Sequence, residues 1–363
     1  MRITDVRAFT CDVPVPRPII LGDIRYDSRD YVIVEVLTDE GVSGIGFGMA
    51  RYAPVAQIVE ANLKPLLVGQ DPLLTERLWD RMYHLNLLIA QRGIFMRALS
   101  AVDIALWDIK GKAAGLPVWR LLGGHSERVP LLMAGGYVAR DKTLKDLEAE
   151  LTGYVERGFR LVKISNGTLA EDTERLRAAR HAIGPQTSLI YDAHWSWRDA
   201  AESLRVIRGW QELDLAWIED PFPSELSRLA VRLRSGCNIP IGIGEDLAGR
   251  WAFQELLQQR AVDVVRVDVA VVGGFTEAVK VCALAATEGL PVSPHVYPEL
   301  HVHLAAALPA VMALEMTDPA QGIEGLHLLL KTAIHIDRGE AVAPSAPGLG
   351  VDLDMTAVQR YRR

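Results

Sequence analysis

From residue 129 onward the chain alternates short apolar runs with longer amphipathic stretches. The apolar runs fall at 129–133, 160–164, 188–191, 215–218, 239–243, 262–267, 290–293 and 311–315. Each has the length of a strand buried on both faces. Between them, the polar and apolar positions of 143–157, 169–183, 199–213 and 275–288 follow a helical period, with Leu204, Ile207 and Trp210 three apart on one stripe. Eight such strands joined by crossover helices favour a closed parallel barrel. An open doubly wound sheet is the alternative, but it normally carries a glycine-rich phosphate turn after its first strand. The segment LLMAGGY at 131–137 has only two adjacent glycines.

The first 125 residues follow a different rhythm. Residues 3–11 and 31–37 (YVIVEVL) read as strands, and Thr38-Asp39-Glu40-Gly41 as the turn after the second. The stretch 17–30, preceded by Pro14, Pro16 and Pro18, reads as irregular, and Gly41, Gly44, Gly46 and Gly48 mark a further loop reaching Tyr52. Helical patterns cover about 54–68, 72–90 and 93–114, the second opening on Asp71-Pro72. This predicts an α+β domain over 1–125, a barrel over 126–323, and a segment over 324–363 that returns to the first domain.

Functional side chains of parallel barrels sit at the C-terminal ends of the strands. Here Asp192 (LIYDAH), Glu219 (AWIEDP), Glu245 (PIGIGED), Asp268 (VVRVDV), His295 (PVSPH) and Glu315 (VMALEM) each follow an apolar run, 20 to 27 positions apart. All six are expected at one mouth. Asp192, Glu219 and Glu245 are oxygen donors on successive strands, a set suited to a hard divalent cation such as Mg²⁺ and unlike a zinc site. Three unrelated salt bridges are the plain alternative. Asp268 is placed to orient His295, which makes the imidazole a candidate general base. Lys163 in LVKIS faces the same mouth, either as a binder of a substrate carboxylate or as a base. Glu315 is either a hydrogen-bond donor to an enediolate or a buried partner of Lys163. His194, two residues after Asp192, is expected on the same face by strand continuation. It is a general acid, a substrate hydrogen-bond donor or a bystander. His301 and His303 read as structural helix positions.

The 363 residues carry a net charge of −7 with acids and bases interspersed, and no basic face marks a nucleic-acid partner. Cys11, Cys237 and Cys282 form no CxxC pair, as in a reducing cytosol. The N-terminus reads as a strand rather than a signal peptide, and no stretch approaches the ~18 apolar residues of a membrane span. A soluble cytoplasmic protein with a small-molecule partner is expected.

The ordered set VKIS, YDAH, WIEDP, IGIGED, VRVD, VSPH and ALEM, with AVDIALWDIKGKAAGLPVWRLLGG at 101–124, resembles the enolase superfamily and, within it, the mandelate racemase group. The resemblance spans nearly the whole chain. It implies a modified (β/α)7β TIM barrel with an α+β capping domain, and a homo-oligomer. It implies Mg²⁺ on Asp192, Glu219 and Glu245, a His295–Asp268 acid/base dyad, and Glu315 at the enediolate. Capping residues Arg17, Arg25, Tyr26, Arg51 and Tyr52, with Ser165 in the barrel, are the substrate-contact candidates. The group usually has Lys-x-Lys at the second strand, where this chain has Lys163-Ile164-Ser165. Serine is no base without an activating partner, so Lys163 is expected to hold the carboxylate. Asp-x-His replaces the more usual Asp-x-Asn and resembles some sugar acid dehydratases. The expected reaction is loss of water from a sugar acid to give a 2-keto-3-deoxy acid. A racemase, epimerase or cycloisomerase, with His194 as second base, is the alternative.

Overall fold

The computed structural model describes residues 1–21, 24–139, 142–167 and 169–363, with side chains described in these ranges except at 17, 19–21, 24, 169 and 170. Strands β1 (Ile3–Leu21), β2 (Ile24–Thr38) and β3 (Ser43–Met49) form an antiparallel sheet in the order β1-β2-β3. The stretch expected to be irregular is therefore largely strand. β1 is an edge strand, where proline is tolerated because the missing N–H removes few ladder bonds. The cost appears as a register shift between Pro14 and Ile19.

The helix Ile94–Ala114 lies across this sheet, and its backbone touches β3. A Cβ on Gly44 would fall 2.1 Å from the Ala105 carbonyl oxygen, and one on Gly46 1.8 Å from that of Ala101. Gly44 and Gly46, read as loop markers, are thus strand positions that admit a helix at backbone distance, while Gly41 lies in the turn before β3.

The barrel strands are β4 (Arg128–Gly135), β5 (Leu161–Ser165), β6 (Ser188–Asp192), β7 (Leu215–Glu219), β8 (Ile241–Ile243), β9 (Val264–Val267), β10 (Val292–Pro294) and β11 (Leu314–Thr317). Neighbours from β4 to β10 pair in parallel, and β11 pairs in parallel with β4. A bridge from Val292 to Val311, just before β11, closes the ring. The tail does more than return to the first domain. β12 (His335–Asp337) and β13 (Glu340–Val342) form a hairpin that pairs antiparallel with the start of β4. The tail meets the capping sheet at both ends: Glu324 accepts from Tyr31 Oη at 2.7 Å before the hairpin, and at the chain end Arg362 bridges Cys11 and Arg363 N–H donates to the Thr10 carbonyl at 2.9 Å.

Polar side chains join cap to barrel inside the 101–124 motif. Asp103 accepts from Thr276 N (3.0 Å) and Thr276 Oγ1 (2.6 Å), and burial pushes its carboxyl up to about 7. Asp108 accepts from Ile45 N, Leu349 N and Lys112. His303 Nδ1 accepts from Trp119 N at 3.2 Å while Nε2 donates to the Leu349 carbonyl at 3.1 Å. These joints fix the loop after β3 over the barrel mouth.

Candidate active site

Strand ends supply the site. Asp192 and Glu219 are the last residues of β6 and β7 and lie side by side in register. Glu245 follows β8 by two residues, Asp268 follows β9 directly, His295 follows β10, and Glu315 lies within β11. Asp192, Glu219, Glu245, Asp268 and Glu315 are each at most 5% exposed. The residues expected at one mouth are brought together there.

Lys163 Nζ stands in the middle of the acids, 2.5 Å from Glu219 Oε1, 2.9 Å from Glu315 Oε1 and 3.1 Å from Asp192 Oδ2. Despite burial, these carboxylates hold the ammonium well above its usual range. A second cation, Arg266, was not singled out from the sequence. It is fully buried, 3.0 Å from Glu219 Oε2 and 3.8 Å from Glu245 Oε2, and it also pairs with Glu315. Its Nη1 donates to Ser293 O (2.8 Å), Ser293 Oγ (2.9 Å) and Pro294 O (3.1 Å). The available signal was an arginine within an apolar run, two residues before Asp268 and so on the same strand face. Glu315 lies between two cations, paired with Lys163 as one of its two expected roles has it.

Among the described residues, no three acidic, histidine or cysteine side chains already close on one point as a cation cage. The donor set nevertheless fits a hard divalent ion. Glu245 Oε2 and both oxygens of Asp220 are buried without a hydrogen-bond partner. Burial and neighbouring carboxylates, Glu219 for Asp220 and Asp220 for Glu245, push both carboxyls well above their usual range. Asp220 is 1% exposed and held at φ +38°, an uncommon backbone region for a residue other than glycine. Buried unpartnered carboxylates are costly, and a shared cation removes that cost.

His295 Nδ1 lies 2.9 Å from Asp268 Oδ2, and its Nε2 lies 3.5 Å from Glu245 Oε1. Asp268 also caps the one-turn helix Val269–Val272, accepting from Ala270 N at 2.7 Å. Burial, with Lys163 and Arg266 nearby, holds the imidazole well below its usual range, which keeps it neutral. With Nδ1–H on Asp268, the free lone pair is on Nε2, toward the mouth. Burial pushes Asp268 up to about 7. His301 accepts from Val269 N at 2.9 Å and donates to the Val296 carbonyl at 2.5 Å, with its Nε2 3.7 Å from Asp268 Oδ1.

His194 reaches the site by a turn, not by strand continuation. β6 ends at Asp192, and His194 and Trp195 take left-handed φ values of +45° and +55°. Its Nδ1 lies 2.9 Å from Asn166 Oδ1 and 3.4 Å from Ser165 Oγ, and Nε2 lies 3.3 Å from Asp192 Oδ2. β6 and β10 are the third and seventh of eight strands, so His194 and His295 enter from opposite sides.

Of the capping candidates, Arg51 lies in the field of Asp246, Tyr297, Glu324 and Glu245, which raise its pKa against the effect of burial. Arg25 is not brought there: its side chain is 63% exposed and paired with Asp27 at 2.8 Å. Tyr26 stacks under the Arg29 guanidinium, and exposed Tyr52 donates to the Ser28 carbonyl at 2.6 Å. The Arg17 side chain lies outside the described residues. A groove of about 640 Å³, lined in part by Trp195, Asp246 and Leu247, adjoins the mouth. A larger one of about 810 Å³ runs along β1 and the chain end, away from the carboxylates.

Residues 5–123 match the family described as mandelate racemase / muconate lactonizing enzyme, N-terminal domain, and residues 146–357 match the enolase C-terminal domain-like family. The chain belongs to the mandelate racemase group of the enolase superfamily. It is similar to arabinonate dehydratase of Saccharolobus solfataricus, 34% identical over 92% of this chain and 91% of that protein. It is also similar to D-galactarolactone cycloisomerase of Agrobacterium fabrum, 32% identical over 100% and 99%. Among solved structures, L-talarate dehydratase of a Polaromonas species, complexed with Mg and L-glucarate, superposes with a TM-score of 0.89 at 30% identity, covering 100% of this chain and 97% of that one. The capping sheet and barrel are the family's architecture.

Proposed function

We propose that the protein is a Mg²⁺-dependent dehydratase of a sugar acid, an aldonate or aldarate, yielding a 2-keto-3-deoxy acid. The observation that carries the reading is the pair of histidines on opposite sides of the acid cluster, with serine instead of a second lysine at 165. Asp192, Glu219 and Glu245 would hold the ion. Bound Mg²⁺ supplies Lewis acidity that draws charge from the substrate carboxylate.

The chain's own residues do the rest. Lys163, its ammonium held by Asp192, Glu219 and Glu315, places positive charge where the enediolate's negative charge develops. His295 Nε2 takes the alpha proton while Asp268 stabilises the imidazolium. The carbon–oxygen bond to the beta hydroxyl breaks as that oxygen takes a proton, from His194 for anti departure or from His295 for syn. The enol left behind takes a proton at C3 and becomes the 2-keto acid. Ser165 and Asn166 orient His194. The proposed organisation is a cap over 1–125, a catalytic barrel over 126–323, and a tail over 324–363 that serves both. Reduced cysteines support action in the cytoplasm, and no described helix is long and apolar enough to cross a membrane.

The test is a screen of four- to six-carbon sugar acids with Mg²⁺ in D₂O, read by NMR. Keto acid from any member supports dehydration. Alpha-deuterium or inversion without keto acid transfers the chain to the racemase or cycloisomerase reading, which the His194–His295 opposition also accommodates. In either case His295→Asn abolishes turnover and leaves Mg²⁺ binding nearly intact, and wild-type-like activity in that variant sinks the base assignment.

A further inference from the structure

The capping turn after β3 is strained to place one side chain. Arg51 and Tyr52 both take left-handed φ values, +54° and +58°. Two such residues in succession, neither a glycine, store energy that surrounding contacts must offset, and such strain gathers at functional positions. The contacts are specific. Tyr52 N donates to Asp30 Oδ2 at 2.7 Å, Ala50 N donates to the Asp30 carbonyl at 3.0 Å, and Asp30 is 4% exposed.

The side chain so placed is uncommitted. Met49 N, two residues before Arg51, donates to Tyr297 Oη at 2.7 Å and ties the turn to the barrel, and the Arg51 guanidinium lies in the field of Asp246, Tyr297, Glu324 and Glu245. Asp246, Glu324 and Tyr297 are engaged elsewhere. Asp246 pairs with Arg97 at 2.8 Å. Glu324 accepts from Tyr31 Oη at 2.7 Å and lies 3.4 Å from Arg29. Tyr297 Oη accepts from Met49 N at 2.7 Å, and Glu245 belongs to the acid cluster. Among the described residues, the Arg51 guanidinium makes no hydrogen bond or close ion pair. Lys163 and Arg266, by contrast, each meet three carboxylates. The cations of the barrel floor are therefore each paired with carboxylates, and the guanidinium in the cap is not.

We propose that the substrate is a sugar diacid, with Arg51 taking the carboxylate distal to the reacting carbon. This rests on the dehydratase reading and narrows it from sugar acids at large to aldarates. A substrate whose alpha-carboxylate lies at the ion and Lys163 directs its other end toward the cap. A guanidinium matches a carboxylate bidentately, whereas a terminal hydroxymethyl group, as in an aldonate, offers one neutral acceptor and leaves the charge uncompensated.

The experiment compares matched diacid and monoacid pairs: galactarate with galactonate, glucarate with gluconate, arabinarate with arabinonate. Turnover is measured with the wild-type protein and Mg²⁺, and binding by calorimetry with the His295→Asn variant, in which ligands persist. The expected result is at least a 100-fold preference for one diacid over its monoacid. Arg51→Gln should reduce kcat/KM and affinity for that diacid about 100-fold while changing the monoacid less than threefold, and Arg51→Lys should fall between. Equal losses on both members would mean a merely structural or field role and would overturn the proposal. So would keto acid formed preferentially from a monoacid, although dehydration itself would then stand. If no sugar acid of either kind binds or turns over, the dehydratase reading and this proposal fall together.

Discussion

Replacing Asp268 with asparagine would test the base most sharply, because the structure dictates how the amide must sit. Asp268 Oδ1 accepts from Ala270 N at 2.7 Å, and Oδ2 faces His295 Nδ1 at 2.9 Å. The backbone N–H is a fixed donor, so the asparagine carbonyl oxygen must take the Ala270 side. Its NH₂ then points at His295 Nδ1, which can only accept. The imidazole proton moves to Nε2, and the lone pair that would remove the alpha proton is lost. The opposite flip sets two buried donors against each other, at a cost of about 1–3 kcal/mol. A carboxylate-to-amide change of this kind in a serine-protease triad lowers kcat about 10⁴-fold through the wrong tautomer, equivalent to about 5.5 kcal/mol of activation free energy. Asparagine caps a helix as well as aspartate does, so folding should hold. We expect kcat to fall about 10³- to 10⁴-fold, with Tm and Mg²⁺ affinity nearly unchanged. The assays are stopped-time keto acid formation on the best substrate, a thermal melt, and calorimetric Mg²⁺ titration. A loss of less than tenfold with intact folding would refute the tautomer argument and remove Asp268 from the mechanism.

Three further outcomes are expected. Asp220→Asn removes a buried, unpartnered carboxylate, so Tm without Mg²⁺ should rise by about 2 °C and the further increment on adding Mg²⁺ should shrink; an unchanged Mg²⁺ increment would separate Asp220 from the ion. Burial holds His303 down to about 4, so its neutral form stabilises the fold, and that contribution is lost as pH falls from about 6.5 toward 4. Denaturant melts should show this as about 2 kcal/mol lost by pH 5, and His303→Gln should flatten the slope by a similar amount. Gly46→Ala drives a Cβ to 1.8 Å from the Ala101 carbonyl oxygen and should cost about 3 kcal/mol, read as a lower denaturation midpoint with no specific effect on Mg²⁺ binding.

Much of the site was legible because the relevant geometry is local. A residue that ends a strand in a parallel barrel points to the mouth whatever the rest of the fold does, so Asp192, Glu219, Glu245, Asp268 and His295 could be placed from the apolar runs before them. The same logic misjudged His194, whose turn leaves the strand period, and Arg25, which alternation cannot tell from Arg51. Arg266 stood in view inside an apolar run but meant nothing until the carboxylates it meets, from β7, β11 and the loop after β8, were brought around it.

The sequence by itself thus determined the rhythm of eight strands and the identity of the groups at their ends, because period and strand direction are set within a few residues. Only the tertiary structure decided which charges neutralise one another, which remain open, and which cap residue overlooks the mouth. Those depend on contacts between segments far apart in the chain, such as Met49 with Tyr297 or the tail hairpin with β4. Closing the barrel brings together charges that no local pattern can pair, and burial then makes each unpaired one costly.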